Sequence, residues 1–247
     1  MARTDRLDTL ALDYVDRIES VDDQSDLMAM FFAALSEFGF TSFLITGLPH
    51  KTTAFSDHTI LNGWPNAWYA RYAERQYYNV DAVAIQGRQS VDPFYWSAVV
   101  PKPDSKAISA QIMSEAGECG LKDGLLVPIY GANGDQSCIT MAGKDIDRRH
   151  RAKQSLHLMS MFTHHQAIRL HELGKRKTTS TANRLTLRER ECLQWAARGK
   201  TDWETSRILQ ISNNTVSVHI AKATKKMTAT NRTEAVAKAI VNRHITL

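Results

Sequence analysis

The chain has 247 residues, 43 % of them hydrophobic and 23 % charged, with a net charge of +5. That length suits one large or two smaller domains, and no apolar run approaches the length of a membrane span. Cys119, Cys138 and Cys192 are odd in number, scattered and without zinc spacing. A disulfide framework or a zinc module is therefore not expected, and the default is buried, reduced thiols in a cytoplasmic protein. The first residues lack the apolar core of a signal peptide.

In chain order, residues 4–18 predict a helix with Leu7, Tyr14, Val15 and Ile18 on one face. Residues 26–38 predict a second, with Leu27, Met30, Phe31, Ala34, Leu35 and Phe38 inward and Gly39 just beyond. The apolar run 42–48, closed by Gly47 and Pro49, reads as a strand. Residues 65–75 read as a helix with Pro65 in its first turn, and residues 105–116 as another, showing Ile108, Ile112 and Met113. Two strands, 124–130 and 137–142, flank Ala132-Asn133-Gly134-Asp135, a hairpin signal. A long helix over 151–173 carries Leu156, Met159, Phe162 and Ile168. The polar, non-periodic stretch 174–184 reads as a linker. Residues 1–173 are therefore expected to form an α+β domain, one antiparallel sheet with helices on both sides.

From Lys175 onward basic residues outnumber acidic ones by about three to one, an excess the front part lacks. Such asymmetry points to a nucleic-acid module at the back. Residues 185–247 predict four short helices. Thr186 with Glu189 and Thr201 with Glu204 are capping boxes, Ser212 caps a third helix and Asn231 a fourth. In the third, Val216, Ile220, Ala223 and Met227 recur at i, i+4, i+7 and i+11 on one inward face. The opposite face offers Asn213, Asn214, Thr215, Ser217, Val218, Ala221, Lys222, Lys225 and Lys226, with Arg232 at the start of the next helix. Amides and hydroxyls suit base edges, small residues permit close approach, and lysines suit phosphates.

In the front part, Trp64, Trp68 and Tyr72 recur every four residues and share a helix face. Three rings with polar tips, a carboxylate at Asp81 and a further indole at Trp96 suit a small ligand with an amide N–H and an apolar tail. An aromatic stripe of this kind is more often plain core.

Leu185-Thr186-x-Arg188-Glu189-x-Glu191-x-Leu193, Gly199-Lys200-Thr201-x-x-Glu204, Thr215-Val216-x-x-His219 and Asn231-Arg232-x-Glu234-Ala235 together resemble the LuxR-type helix-turn-helix. Thr205-Ser206 departs from that family's usual Ile-Ala, which implies looser packing of the second helix. Trp68-x-x-x-Tyr72, Asp81, Trp96 and Gly124 resemble the autoinducer-binding domain of LuxR-type quorum-sensing receptors. The resemblance implies an α-β-α sandwich that binds an acyl-homoserine lactone, with no cofactor and no metal. Trp68 would donate to the lactone carbonyl, Asp81 accept the amide N–H, Thr140 reach an acyl or amide oxygen, and Tyr72, Trp96 and Gly124 line or shape the pocket. Trp64 replaces the family's Tyr. Its bulk implies a compact, branched or aryl acyl group. The implied partners are a palindromic double-stranded DNA site, a second copy of the chain and RNA polymerase.

Three rivals stand beside this. His164-His165 suggests metal or acid–base chemistry, yet adjacent helical residues point about 100° apart and no nucleophile motif supports an enzyme. A phosphorylation receiver requires alternating strands and helices, a pattern the front half lacks. A ligand-independent regulator controlled by a protein partner fits the same sequence.

Overall fold

The computed structural model describes residues 2–48, 54–131, 136–178, 185–242 and 244–246. The chain divides into two compact units, Met1–Gly174 and Lys175–Leu247.

The first unit runs α1 (Ala2–Ile18), α2 (Gln24–Ser36), β1 (Ser42–Gly47), α3 (Phe55–His58), β2 (Thr59–Gly63), α4 (Asn66–Glu74), α5 (Ala82–Gly87), β3 (Phe94–Tyr95), α6 (Lys106–Glu118), β4 (Asp123–Tyr130), β5 (Gln136–Gly143) and α7 (His150–Thr178). The five strands form one antiparallel sheet in the order β2-β1-β5-β4-β3. Strand periodicity splits its side chains between two cores. Phe43, Ile45, Leu125, Val127, Ile129, Ile139 and Met141 meet α1, α2 and α7 on one face. Leu44, Leu126, Cys138 and Ala142 meet aromatic residues of α3 and α4 and the apolar side of α6 on the other. The unit is the expected α-β-α sandwich.

Several expectations need adjustment. β2, α3, α5 and β3 are additional to the predicted elements. Of the linker expected at 174–184, residues 174–178 are helical, because α7 continues past the end of the first unit to Thr178. No proline interrupts it, and a lysine- and arginine-rich end suits a helix C-terminus. The hairpin turn 132–135 and residues 179–184 lie outside the described residues, as does the Leu7 side chain.

The second unit is α8 (Leu187–Ala197), α9 (Asp202–Leu209), α10 (Asn213–Lys226) and α11 (Arg232–Val241). Both capping boxes form, Glu189 N–H donating to Thr186 and Glu204 N–H to Thr201. Gln210 ends α9 in the left-handed region at φ 54°, which turns the chain sharply into Ser212, the cap of α10. Leu185, Cys192, Leu193, Val216, Ile220, Ala223, Ala235, Ala239 and Ile245 form the core. Thr205 is fully buried and its hydroxyl has no hydrogen-bond partner, whereas Ser206 donates to the Trp203 carbonyl at 2.7 Å. Here the departure from Ile-Ala leaves a polar group in the core at a cost of about 1–3 kcal/mol.

No described helix is long and apolar enough to cross a membrane. Among the described residues, no group of three His, Cys, Asp or Glu side chains is arranged to hold a metal ion.

Candidate functional site

The second core of the sandwich is not solid. Its floor is the sheet. Leu44 of β1 and Leu126 of β4 both pair with Thr140 of β5, and Thr46 pairs with Cys138. All five line a cavity that Phe55, Trp64, Trp68 and Tyr72 wall on one side and Ile112, Met113 and Ala116 of α6 on another. The space among these side chains, its mouth included, is about 590 Å³, within the range of small-molecule sites.

Trp68 and Tyr72, one turn apart on α4, are buried together. Trp64 precedes the helix rather than sharing its face, and the turn from β2 buries its ring beside theirs. Trp64 and Trp68 have ring centroids 6.2 Å apart, and Tyr72 meets both edge-on at 5.3 and 5.6 Å. Gly63, just before Trp64, allows the turn from β2 into α4 to close on the core: a Cβ there would lie 2.7 Å from Phe32. The indole N–H groups of Trp64 and Trp68 are both buried and have no hydrogen-bond partner. A buried donor without an acceptor costs about 1–3 kcal/mol, so two in one cavity wall form an unusual pair.

Asp81 lies at the same cavity and serves as the N-cap of α5. Its Oδ1 accepts the Val83 N–H at 2.9 Å and its Oδ2 accepts the Tyr72 hydroxyl at 2.8 Å. The Ala84 N–H also reaches this carboxylate, and a carboxylate has about four acceptor sites, so acceptor capacity is left over. Burial pushes the Asp81 carboxyl above its ordinary range, against the opposing hydrogen bonds from Tyr72 and Val83. Burial and the neighbouring Asp81 charge hold the Tyr72 phenol in its protonated, donating form.

Trp96 donates from Nε1 to Thr140 Oγ1 at 3.1 Å, joining two cavity residues. Gly124 does not line the cavity. It lies behind Trp96, where an added Cβ would fall 2.4 Å from indole Cε2 and 2.5 Å from the Met141 carbonyl oxygen. Its part is to let the indole lie flat on the strand.

Sequence reasoning missed several cavity residues: Phe55, Tyr78, Arg88, Cys138 and the α6 side chains. Phe55 stacks on Tyr78 at 5.2 Å, and Arg88 donates to the Tyr78 carbonyl at 2.7 Å. Burial raises the Cys138 thiol to about 12, which makes it an inert wall group. Only the alternation along β5 pointed to Cys138, because Thr140 two residues on shares its face. His164, set aside as catalytic, donates to or accepts from Ser137 at 2.7 Å, and burial lowers its ring to about 4.

In the second unit α10 buries Val216, Ile220 and Ala223 and exposes Asn213, Asn214, Ser217, Val218, Ala221, Lys222 and Lys225. This polar face follows the expected spacing. Four expected DNA contacts carry other interactions. Thr215 closes the α10 cap, its N–H donating to Ser212 at 3.0 Å. Ser217 donates to Asp202 at 2.6 Å. Arg232 pairs with the same Asp202 and donates to the Lys200 carbonyl at 2.7 Å. Lys226 lies 2.8 Å from Glu189, a carboxylate only 2 % exposed. It turns inward because the end of α10 passes over the α8 cap.

Comparison with known proteins gives the family of each unit. Residues 23–167 match the model of the autoinducer binding domain, and residues 183–239 match that of bacterial regulatory proteins of the luxR family. The chain is 36 % identical over 235 residues to the transcriptional activator protein BjaR1 of Bradyrhizobium diazoefficiens, covering 95 % of this chain and 96 % of that protein. It is 38 % identical to the quorum sensing-dependent transcriptional regulator RpaR of Rhodopseudomonas palustris, covering 93 % and 92 %. The fold is similar to that of Escherichia coli SdiA, with a TM-score of 0.74 at 18 % identity over 97 % of this chain and 99 % of SdiA. A second structure, SdiA in complex with octanoyl-rac-glycerol, gives a TM-score of 0.71 at 20 % identity over 94 % and 93 %. The relatives are transcriptional regulators, not enzymes. The chain belongs to the LuxR family of quorum-sensing transcription regulators, in which an autoinducer-binding domain is followed by a helix-turn-helix DNA-binding domain.

Proposed function

We propose that the autoinducer is an acyl-homoserine lactone and that the chain regulates transcription in the cytoplasm as a homodimer on a palindromic DNA site, with RNA polymerase as its downstream partner. The observation that carries the ligand is the set of polar groups at one cavity: two buried indole donors without acceptors and a carboxylate with acceptor capacity to spare. An acyl-homoserine lactone is the complement. Its lactone and amide carbonyls accept from Trp68 and Trp64, and its amide N–H donates to Asp81. Tyr72 steadies Asp81, and Trp96 leaves the Thr140 hydroxyl hydrogen for a ligand oxygen. The acyl tail lies over the apolar floor. Trp64 and Phe55 take volume from that end, which favours a compact, branched or aryl group over a long straight chain.

Dimerisation is read from α7. Gln154, Leu158, Met161, His165, Ile168 and Glu172 follow alternating steps of four and three, the spacing of a helix–helix seam. Leu158 and Met161 are exposed there although apolar. Taking α10 as the recognition helix, the two copies of it would then meet half-sites about one helical turn apart.

The test is a titration of the purified chain with straight, branched and aryl lactones, followed by tryptophan fluorescence, with mass spectrometry of any small molecule extracted from the protein. Saturable quenching by at least one lactone supports the reading. No response to any of them, with a different molecule extracted, overturns it.

A further inference from the structure

β3 is only two residues long, Phe94 and Tyr95, paired to Leu126 and Leu125 of β4. The chain then makes a single 3-10 turn, Trp96–Ala98, in which Val99 N–H donates to the Trp96 carbonyl at 3.1 Å. A short edge strand and one turn are a weak hold for a tryptophan that walls a cavity. The hold comes from β4. Asp123 is 5 % exposed, and its Oδ1 accepts the Ser97 N–H at 3.0 Å while its Oδ2 accepts the Ser97 hydroxyl at 3.1 Å. The same carboxylate pairs with Arg148, whose guanidinium lies 5.9 Å from the centre of the Tyr95 ring. The next residue along β4 is Gly124, on which the Trp96 indole rests. Two adjacent residues thus act on Trp96 from opposite sides, one by making room beneath the ring and one by tying down the backbone just after it.

We propose that Asp123 is a positioning residue of the ligand cavity: through Ser97 it fixes Trp96 where the indole walls the cavity and reaches Thr140. Asp123 does not line the cavity, so its effect on ligand passes through Trp96. The inference rests on reading that cavity as the lactone site, but the placement of Trp96 is measurable without a ligand.

The full-length chain is labelled with 5-fluorotryptophan and its fluorine spectrum recorded. Of its five tryptophans, Trp96 and Trp64 are assigned by the loss of a signal in Trp96→Phe and Trp64→Phe. Asp123→Ala is expected to shift or broaden the Trp96 signal and to leave that of Trp64 in place. Asp123→Asn keeps an acceptor for the Ser97 N–H and is expected to restore the Trp96 signal. In a reporter assay, Asp123→Ala is expected to raise the lactone concentration for half response by about tenfold. In a Trp96→Phe background the same change should add less than about twofold, because both variants remove one contribution. An unmoved Trp96 signal in soluble Asp123→Ala overturns the proposal. So does equal loss in both backgrounds, or a movement of every tryptophan signal alike, which marks a general prop. If Asp123→Ala does not accumulate as soluble protein, Ser97→Ala replaces it in both arms, with the same expected and overturning results. A parent chain that answers no lactone defeats the reading of the cavity, while the Trp96 signal still judges Asp123 by itself.

Discussion

Asp81 has two roles that oppose each other. As an N-cap it stabilises α5 and holds Tyr72, yet burial disfavours its charged form and raises its pKa above 3.8. A carboxyl whose folded value is raised stabilises the fold when protonated. That contribution is present below the unfolded value near 3.8 and is lost as pH rises through the folded value. Asp81→Asn keeps a cap oxygen and removes the charge. Its melting temperature without ligand should therefore match or exceed the parent's at pH 7, and the gap should close as pH falls towards the unfolded value. Its response to lactone should still weaken by about tenfold or more, the loss of a charge-assisted hydrogen bond. Melts across pH and a reporter dose-response check both halves; a variant less stable than the parent at pH 7 contradicts the account. Trp64 adds a second residue-level expectation. Trp64→Tyr frees volume while keeping a donor, so it should extend the accepted lactones towards longer straight chains with Trp68 unchanged. An unaltered ranking of straight, branched and aryl lactones would make Trp64 plain core.

At the level of elements, α10 shows how far periodicity reaches. Its inward face of Val216, Ile220, Ala223 and Met227 is buried or packed on the core as spaced, because a 3.6-residue period leaves little freedom about which side meets the core. The outward set was less legible. Lys225 and Lys226 are equivalent as sequence, but only the tertiary path of α10 decides that Lys226 reaches Glu189. The contrast is testable. Lys226→Met leaves Glu189 buried without its cation and should cost up to about 3 kcal/mol of stability in this unit. Lys225→Ala should leave the melt unchanged and lower the salt dependence of DNA binding by about one counterion. Identical melts for the two variants would contradict their assigned facings. The front unit repeats the lesson. Its long helices and the β4 and β5 strands were readable from period and composition, and so was the pair Trp68 and Tyr72 on α4, whereas Trp64 joins them from the turn before the helix. The edge strands β2 and β3 were not, because two to five residues carry no period and their pairing depends on β1 and β4. The cavity itself was only half legible: Phe55, Arg88 and the α6 side chains reach it through packing, not through any local pattern.

For the molecule as a whole, the proposed ligand and the proposed dimer each act by linkage. A lactone that binds the folded state adds RT ln(1 + [L]/Kd) to its stability, about 2.7 kcal/mol at a hundredfold excess over Kd. It also fills a cavity whose donors otherwise lack partners. The dimer acts on DNA. One recognition helix contacts one half-site, and a second copy joined to the first converts the next contact into an intramolecular one, a gain of roughly 10²–10⁴ in affinity without new contacts. Met161 is the sharpest place to test this. It is exposed on α7, three residues from exposed Leu158, and packs on neither core of its own unit. Met161→Glu should therefore leave the fold and the ligand response of the cavity intact. In a symmetric seam each copy would bring a carboxylate towards its mate, and like charges there oppose association. Sedimentation should then report a monomer where the parent is a dimer. Affinity for a palindromic duplex should fall by the linkage factor, while affinity for a single half-site should stay the same. A Met161→Glu chain that still sediments as a dimer removes this helix from the interface. One that becomes a monomer and yet binds the palindrome as tightly as the parent removes the dimer from DNA recognition.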